Sequence, residues 1–185
     1  MKNTLVLILL LSLSFVGVEA SETNSYEMPG TQVIPIHNSE SGAQYNLYIK
    51  LPKGYSEKKD TAYPVIYFTD ADWHIEILSA STEYLMEDSI LVGISWQEDI
   101  KEELKKEVGP HVSRFRDFTV RKSDKPKVQK KYQLGQASNH LRFIRKDVIR
   151  TIEKNYRIDP KKRAYFGYSL GGLFGAYILA LRRFV

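Results

Sequence analysis

Ser169 stands in the run Gly167-Tyr168-Ser169-Leu170-Gly171-Gly172, a G-x-S-x-G spacing. An apolar stretch, Arg163-Ala164-Tyr165-Phe166, precedes it and reads as a short buried strand. Leu173 to Leu181 follows it and reads as a buried helix. Strand, G-x-S-x-G, helix is the context of a nucleophile elbow, where a tight turn lifts the serine hydroxyl above the end of a sheet. Gly167 and Gly171 keep side chains away from the crossing strand and helix, and Tyr168 completes the turn. The bland alternative is a glycine-rich turn with an incidental serine. A serine hydroxyl attacks carbonyl carbon only with a base in reach, usually a histidine oriented by a carboxylate. It also needs donors for the oxyanion. Leu170, the residue after the nucleophile, offers one backbone N–H. The turn after an earlier strand, Asp70-Ala71-Asp72-Trp73-His74, offers the second at Ala71 or Asp72.

The base is harder to find. Sixteen residues follow Ser169, and none is His, Asp or Glu. His37, His74, His111 and His140 all lie upstream. His74 is the best placed, with Trp73, as a residue at the rim of the site and a candidate substrate contact. His140 begins a helix and reads as a surface or capping residue. No two histidines have zinc-ligand spacing, so no metal site is expected. The simplest expectation is that the chain stops before the segments carrying the acid and the base.

The elements that must position Ser169 follow from periodicity. Thr31 to His37 reads as a strand, with Pro35 marking an edge. Tyr45, Leu47, Ile49 and Leu51 recur with period two, so these segments form an antiparallel hairpin. Pro64 to Thr69 and Ile90 to Trp96 are continuous apolar runs, the pattern of strands buried on both faces. Between them Ile75 to Met86 reads as a helix burying Ile75, Leu78, Tyr84 and Leu85. Gln97 to Val108 reads as a surface helix with Ile100, Leu104 and Val108 as a narrow stripe. Residues 111–137 show no sustained period and read as a long loop. Ser138-Asn139 is placed to cap a helix reaching about Tyr156, with Leu141, Ile144, Val148 and Ile152 on one face. Asp159-Pro160 reads as a turn. Alternating strands and helices predict an α/β fold with a sheet parallel in its core.

Composition narrows the classes. The chain has 185 residues, one domain by length, and 43% of them are apolar, enough for a core. It has no cysteine, which excludes disulfides, thiolate nucleophiles and zinc–thiolate sites. Residues 1–20 read as a secretory signal peptide: a short positive start, an apolar run from Leu5 to Val16, and Val18-Glu19-Ala20 before the cut. An uncleaved anchor is the alternative. The mature protein is therefore expected to be exported, periplasmic or extracellular, without a stable membrane anchor. Residues 21–30 read as a loose mature N-terminus and 31–185 as one incomplete domain. The net charge is +5, and six basic residues cluster between Arg121 and Lys131. No aromatic ladder interleaves with them, so they read as a solvated loop, and no nucleic-acid partner is expected.

Four segments together carry a resemblance. Tyr63-Pro64-Val65-Ile66-Tyr67-Phe68-Thr69-Asp70, Leu91-Val92-Gly93-Ile94, Arg114-Phe115-Arg116-Asp117-Phe118-Thr119 and the run from Asn139 to Leu181 are similar to those of an esterase family of α/β-hydrolases. That family includes siderophore trilactone esterases and esterase D. The resemblance covers roughly residues 32–181. It implies an α/β-hydrolase fold, truncated after the elbow helix, whose mostly parallel sheet begins with an antiparallel hairpin. It implies hydrolysis of a small-molecule ester through an acyl-enzyme on Ser169, without cofactor, with Leu170 and the Asp70–Trp73 turn as oxyanion hole. About a hundred further residues would hold the acid and histidine. Ala71 departs from the glycine common in the family, and Gln97 to Gly109 looks like an insertion. Arg114 and Arg116 are candidate substrate contacts; the structural alternative is that one pairs with Asp117 and pins the long loop. A non-catalytic derivative of the fold is the alternative to an esterase.

Overall fold

The computed structural model describes residues 27–58 and 60–181. The expected signal peptide, residues 1–20, lies outside the described residues, as do the first six residues of the expected loose N-terminus. From Met28 onward the chain is tied down: Thr31 N–H donates to the Met28 carbonyl and Leu51 N–H to that of Gly30.

Strands β1 (Thr31–His37) and β2 (Gln44–Lys50) pair antiparallel as the expected hairpin. Strand β3 (Tyr63–Thr69) leads into helix α1 (Ala71–Leu85), which leads into β4 (Ile90–Ile94). Helix α2 spans Glu102–Val108, a single 3-10 turn spans Pro110–Val112, and short helices α3 (Ser113–Asp117) and α4 (Pro126–Tyr132) follow. A long helical stretch runs as α5 (Ala137–Phe143), a wider π segment (Ile144–Val148) and α6 (Ile149–Asn155). Strand β5 (Ile158–Phe166) and helix α7 (Leu170–Ala180) complete the described chain. The sheet order is β1-β2-β4-β3-β5, with β4, β3 and β5 mutually parallel.

Burial follows side-chain parity. Val65 and Tyr67 of β3 face one layer, with Leu47, Ile49, Val92, Phe143, Ile144, Val148, Ile152 and Phe174. Ile66 and Phe68 face the other, with Leu91, Ala71 and Ile75. Both faces of β3 and β4 are thus covered, which is why their sequences read as unbroken apolar runs.

Several expectations need correction. The 111–137 segment is not a plain loop, and the basic cluster lies partly on α4. Helices of one or two turns carry too few residues for a period to show, although Pro126 at the first turn of α4 is a start signal. The surface helix is confined to α2, leaving Ile100 outside it. Gln136, not Ser138 or Asn139, occupies the N-cap of α5. The Asp159-Pro160 turn lies inside β5. Tyr63 pairs with Ile158 and Val65 with Arg163, so a two-residue step on β3 matches a five-residue step on β5. The extra residues bulge outward, and the Asp159 carboxylate accepts from Lys161 N–H at 2.9 Å.

Tyr84 and Leu85 are 83% and 81% exposed. The buried residues of α1 are Ala71, Ile75 and Ser79, four apart, and at about 100° per residue Tyr84 falls roughly 140° off that stripe. The elbow strand and helix are not fully buried either. β5 is an edge strand of the described sheet with Ala164 exposed, and α7 buries only Gly171, Phe174 and Ile178. His140 is neither a surface nor a capping residue: it is 4% exposed. It shares the i, i+4 row of Ile144 and Val148, and its ring lies 5.4 Å from that of Phe118 and 5.4 Å from that of Phe174.

Candidate active site

Adjacent parallel pairing of β3 and β5 brings their C-terminal ends together, with Phe68 opposite Phe166. The next residues of each strand are Thr69-Asp70 and Gly167-Tyr168-Ser169. The first turns of α1 and α7 therefore start side by side at one end of the sheet.

Ser169 has φ 54° and ψ −118° and is exposed to solvent. Positive φ is costly for a residue with a Cβ, so the surroundings must impose it. Two glycines explain how. A Cβ on Gly167 would collide with the Gly171 carbonyl, and one on Gly171 would lie 2.7 Å from Thr69 Oγ1 and 3.2 Å from Asp70 Oδ2. Gly171 N–H donates to the Tyr168 carbonyl and Leu173 N–H to that of Ser169. The Leu170 N–H thus belongs to the first turn of α7, where a helix leaves its donors free for an outside acceptor.

The facing turn is built in the same way. Asp70 occupies the left-handed region at φ 58°, ψ 46°, tolerable for Asp, and caps α1 from there. Trp73 and His74 N–H donate back to the Asp70 carbonyl. Ala71 and Asp72 are therefore the two leading donors of α1. The Asp70 carboxylate is wholly buried. Its Oδ1 accepts from Trp96 Nε1 at 2.7 Å and from Arg114 Nε at 2.9 Å, and its Oδ2 from Arg114 Nη2 at 3.0 Å. This two-pronged pairing offsets the desolvation of both charges.

Arg114 is 9% exposed and sits over the Trp73 ring at 4.8 Å. Its guanidinium is thus engaged with Asp70 rather than offered to solvent. Arg116 donates to Asp117 from Nε at 2.7 Å and Nη2 at 3.0 Å, and Nη2 also reaches the Tyr45 hydroxyl at 3.2 Å. Arg116 makes the expected pair with Asp117, whereas Arg114 pairs with Asp70. Trp73 is 46% exposed and meets Trp96 edge-on at 4.7 Å and His111 at 5.3 Å. His111, Phe115 and Tyr132 continue this aromatic row. His74 reaches the elbow: its ring lies 5.9 Å from Tyr168 and 5.7 Å from Phe166. The Asp72 carboxylate accepts from the Tyr48 hydroxyl at 3.2 Å, and burial with that carboxylate pushes the Tyr48 phenol up to about 12. Among the described residues, no histidine hydrogen-bonds to Ser169, and no cluster of His, Cys, Asp or Glu could hold a metal ion.

Sequence reasoning missed Trp96 and the tie between Arg114 and Asp70. These residues are 26 and 44 positions from Asp70, and no local pattern announces a contact of that range.

Comparison with known proteins decides the family. Residues 39–184 match the model of the family described as "Putative esterase". The chain belongs to the esterase family. It is 28% identical over 174 residues to the ferri-bacillibactin esterase BesA of Bacillus subtilis (strain 168), covering 85% of this chain and 55% of BesA. The BES protein from Bacillus cereus superposes with TM-score 0.68 at 28% identity, over 86% of this chain and 61% of that one. An IroE-like serine hydrolase from Shewanella oneidensis shares the fold with TM-score 0.67 at 23% identity, over 83% of this chain and 47% of that one. The α/β-hydrolase fold expected from the sequence is therefore that of this esterase family. The chain spans between 47% and 61% of the length of these relatives.

Proposed function

We propose that this chain carries the nucleophile and oxyanion-hole half of an exported serine esterase. The observation carrying the reading is the backbone of Ser169, held at positive φ on an exposed turn beside the leading N–H groups of two helices. In the proposed reaction Ser169 Oγ bonds to the carbonyl carbon of a small-molecule ester while its proton passes to a general base. The carbonyl oxygen takes the negative charge and accepts from the N–H of Leu170 and of Ala71 or Asp72. The ester C–O bond then breaks, the alcohol leaves with the proton, and water releases the acid from the acyl-enzyme by the same route. Base and acid come from outside the described residues, in keeping with a chain that covers 55% of BesA. The first substrate class to try is the siderophore ester for which BesA is named; the aromatic row beside Trp73 suits an aromatic acyl group.

The test is labelling by a fluorophosphonate and turnover of p-nitrophenyl acetate, wild type against Ser169→Ala. Labelling and turnover lost together in the variant support the reading. Turnover unchanged in Ser169→Ala removes the nucleophile, and inertness to both reagents in a wild type that also carries the base and acid favours a non-catalytic derivative of the fold. Sequencing the N-terminus of exported protein tests cleavage after Ala20.

A further inference from the structure

We infer that Tyr165 and Thr69 are positioning residues that set the spacing between the two sides of the oxyanion hole. The inference rests on the reading of Ser169 as nucleophile. Tyr165 lies on β5, four residues before Ser169. Its hydroxyl donates to the Gly171 carbonyl at 3.0 Å, on the first turn of α7. The same hydroxyl lies 3.0 Å from Thr69 Oγ1, at the end of β3. A phenol has one proton, so with that proton on Gly171 the Thr69 hydroxyl is the donor in the second bond. The result is a chain from Thr69 through Tyr165 to Gly171, crossing from the oxyanion-turn strand to the elbow helix.

The ends of this bridge are the groups that matter. Gly171 is joined by one peptide to Leu170, the donor on the elbow. Thr69 is two residues from Ala71, the donor on the facing turn. Both ends are rigid. Thr69 is fully buried at the end of the interior strand β3, and Gly171 is buried with no room for a Cβ against Thr69 Oγ1. The Tyr165 ring is clamped as well: a Cβ on Gly175 would lie 2.7 Å from its Cε1, and Phe174 meets it edge-on at 6.0 Å. Burial holds the phenol in its protonated, donating form, raising its pKa well above the ordinary value. β3 and β5 also pair directly, but their last register pair is Phe68 with Phe166. Beyond it both chains turn away into helices, and the bridge spans this gap. Oxyanion donors act in the transition state, so a misplaced pair costs kcat rather than substrate binding.

The experiment compares wild type, Tyr165→Phe, Thr69→Val, Thr69→Ser and Ser169→Ala in the protein that also carries the general base and acid. It measures kcat and KM for p-nitrophenyl acetate per fluorophosphonate-titrated site, together with Tm. Tyr165→Phe keeps the ring and loses both bonds. It and Thr69→Val are expected to lower kcat about ten- to a hundredfold, with KM within about threefold, and Thr69→Ser to stay near wild type. If Tyr165→Phe and Thr69→Val keep kcat within about twofold while Ser169→Ala is inert, the bridge is only structural and the inference fails alone. It fails in the same way if Tm falls while kcat per titrated site is unchanged. A wild type that does not turn over, or Ser169→Ala that does, overturns the nucleophile reading and this inference with it.

Discussion

At Ser169 one residue carries both a reactive group and a backbone cost. Its φ of 54° with ψ −118° is a conformation that glycine adopts freely and L-residues do not. Ser169→Gly should therefore relieve strain that Ser169→Ala retains. We expect Ser169→Gly to be more stable than Ser169→Ala by about 1 kcal/mol, after the usual entropic cost of glycine in the unfolded chain is subtracted. Both variants should be inactive. Denaturant titration of the pair checks this, and equal midpoints would show that the turn is unstrained. The same close packing makes Gly171→Ala a disruptive small change at the site. Its Cβ would meet Thr69 Oγ1 and the buried Asp70 carboxylate, neither of them the free end of a flexible side chain. An overpacking penalty of about 1–3 kcal/mol is expected, read as a drop in Tm, with turnover falling as well. The serine and its two glycines are legible in the sequence because the elbow is a local structure. Spacing alone encodes it.

Elements are where legibility ends. Strand β3 and the turn after it are readable from an apolar run ending in polar residues. What holds that turn is not. Helix α3 is only five residues long, and it stands where it does through Arg114 and Asp117, whose partners lie on distant strands and turns. In the sequence the arginine is open to two readings, a substrate contact or a structural pair with Asp117, because a charge in a long loop carries no local sign of its partner. In the fold, Arg114 stacks on Trp73 and ties α3 to the cap of α1. Removing one partner of such a pair leaves the other charge buried without compensation. Arg114→Met should therefore cost about 3–5 kcal/mol, while Asp70→Asn combined with Arg114→Met should recover part of the loss. Arg114→Lys, which cannot reproduce both bonds to Asp70, should fall between wild type and Arg114→Met. A double-mutant cycle by chemical denaturation measures the coupling. Additive single effects would mean that the pair contributes no coupling of its own.

At the scale of the whole molecule, the strand order follows from hydrogen-bonded partners far apart in sequence, which no period reveals. The alternation of strands and helices shows only that β3, β4 and β5 share a parallel core. His140 is a residue whose meaning depends on this larger arrangement. It stands on α5 among four rings: Tyr45 on β2, Phe118 after α3, Phe143 further along α5, and Phe174 on α7. Its two ring nitrogens are buried, and neither hydrogen-bonds among the described residues. Burial pushes its pKa below the ordinary value of 6.5. Asp117, 3.9 Å from Nδ1, works the other way, and Arg116 reinforces the depression. The sign then follows. Above about pH 6.5 both folded and unfolded chains hold His140 neutral, and it adds no pH dependence. As pH falls below 6.5 the unfolded chain takes up a proton that the fold resists. Stability then drops, by at most about 1.4 kcal/mol per pH unit, until the depressed folded pKa is reached. The loss should appear between pH 6.5 and about 5.5, before most carboxylates begin to titrate. His140→Phe removes the ionisable group and extends an aromatic cluster already present, so its stability should stay flat over that window. Denaturation midpoints of wild type and His140→Phe at about pH 7.5, 6.5 and 5.5 decide the matter. Parallel curves would mean that the fold does not shift the His140 pKa, and a wild type that gains stability relative to His140→Phe between pH 7.5 and 6.5 would mean that His140 is protonated in the core with Asp117 as its counter-ion.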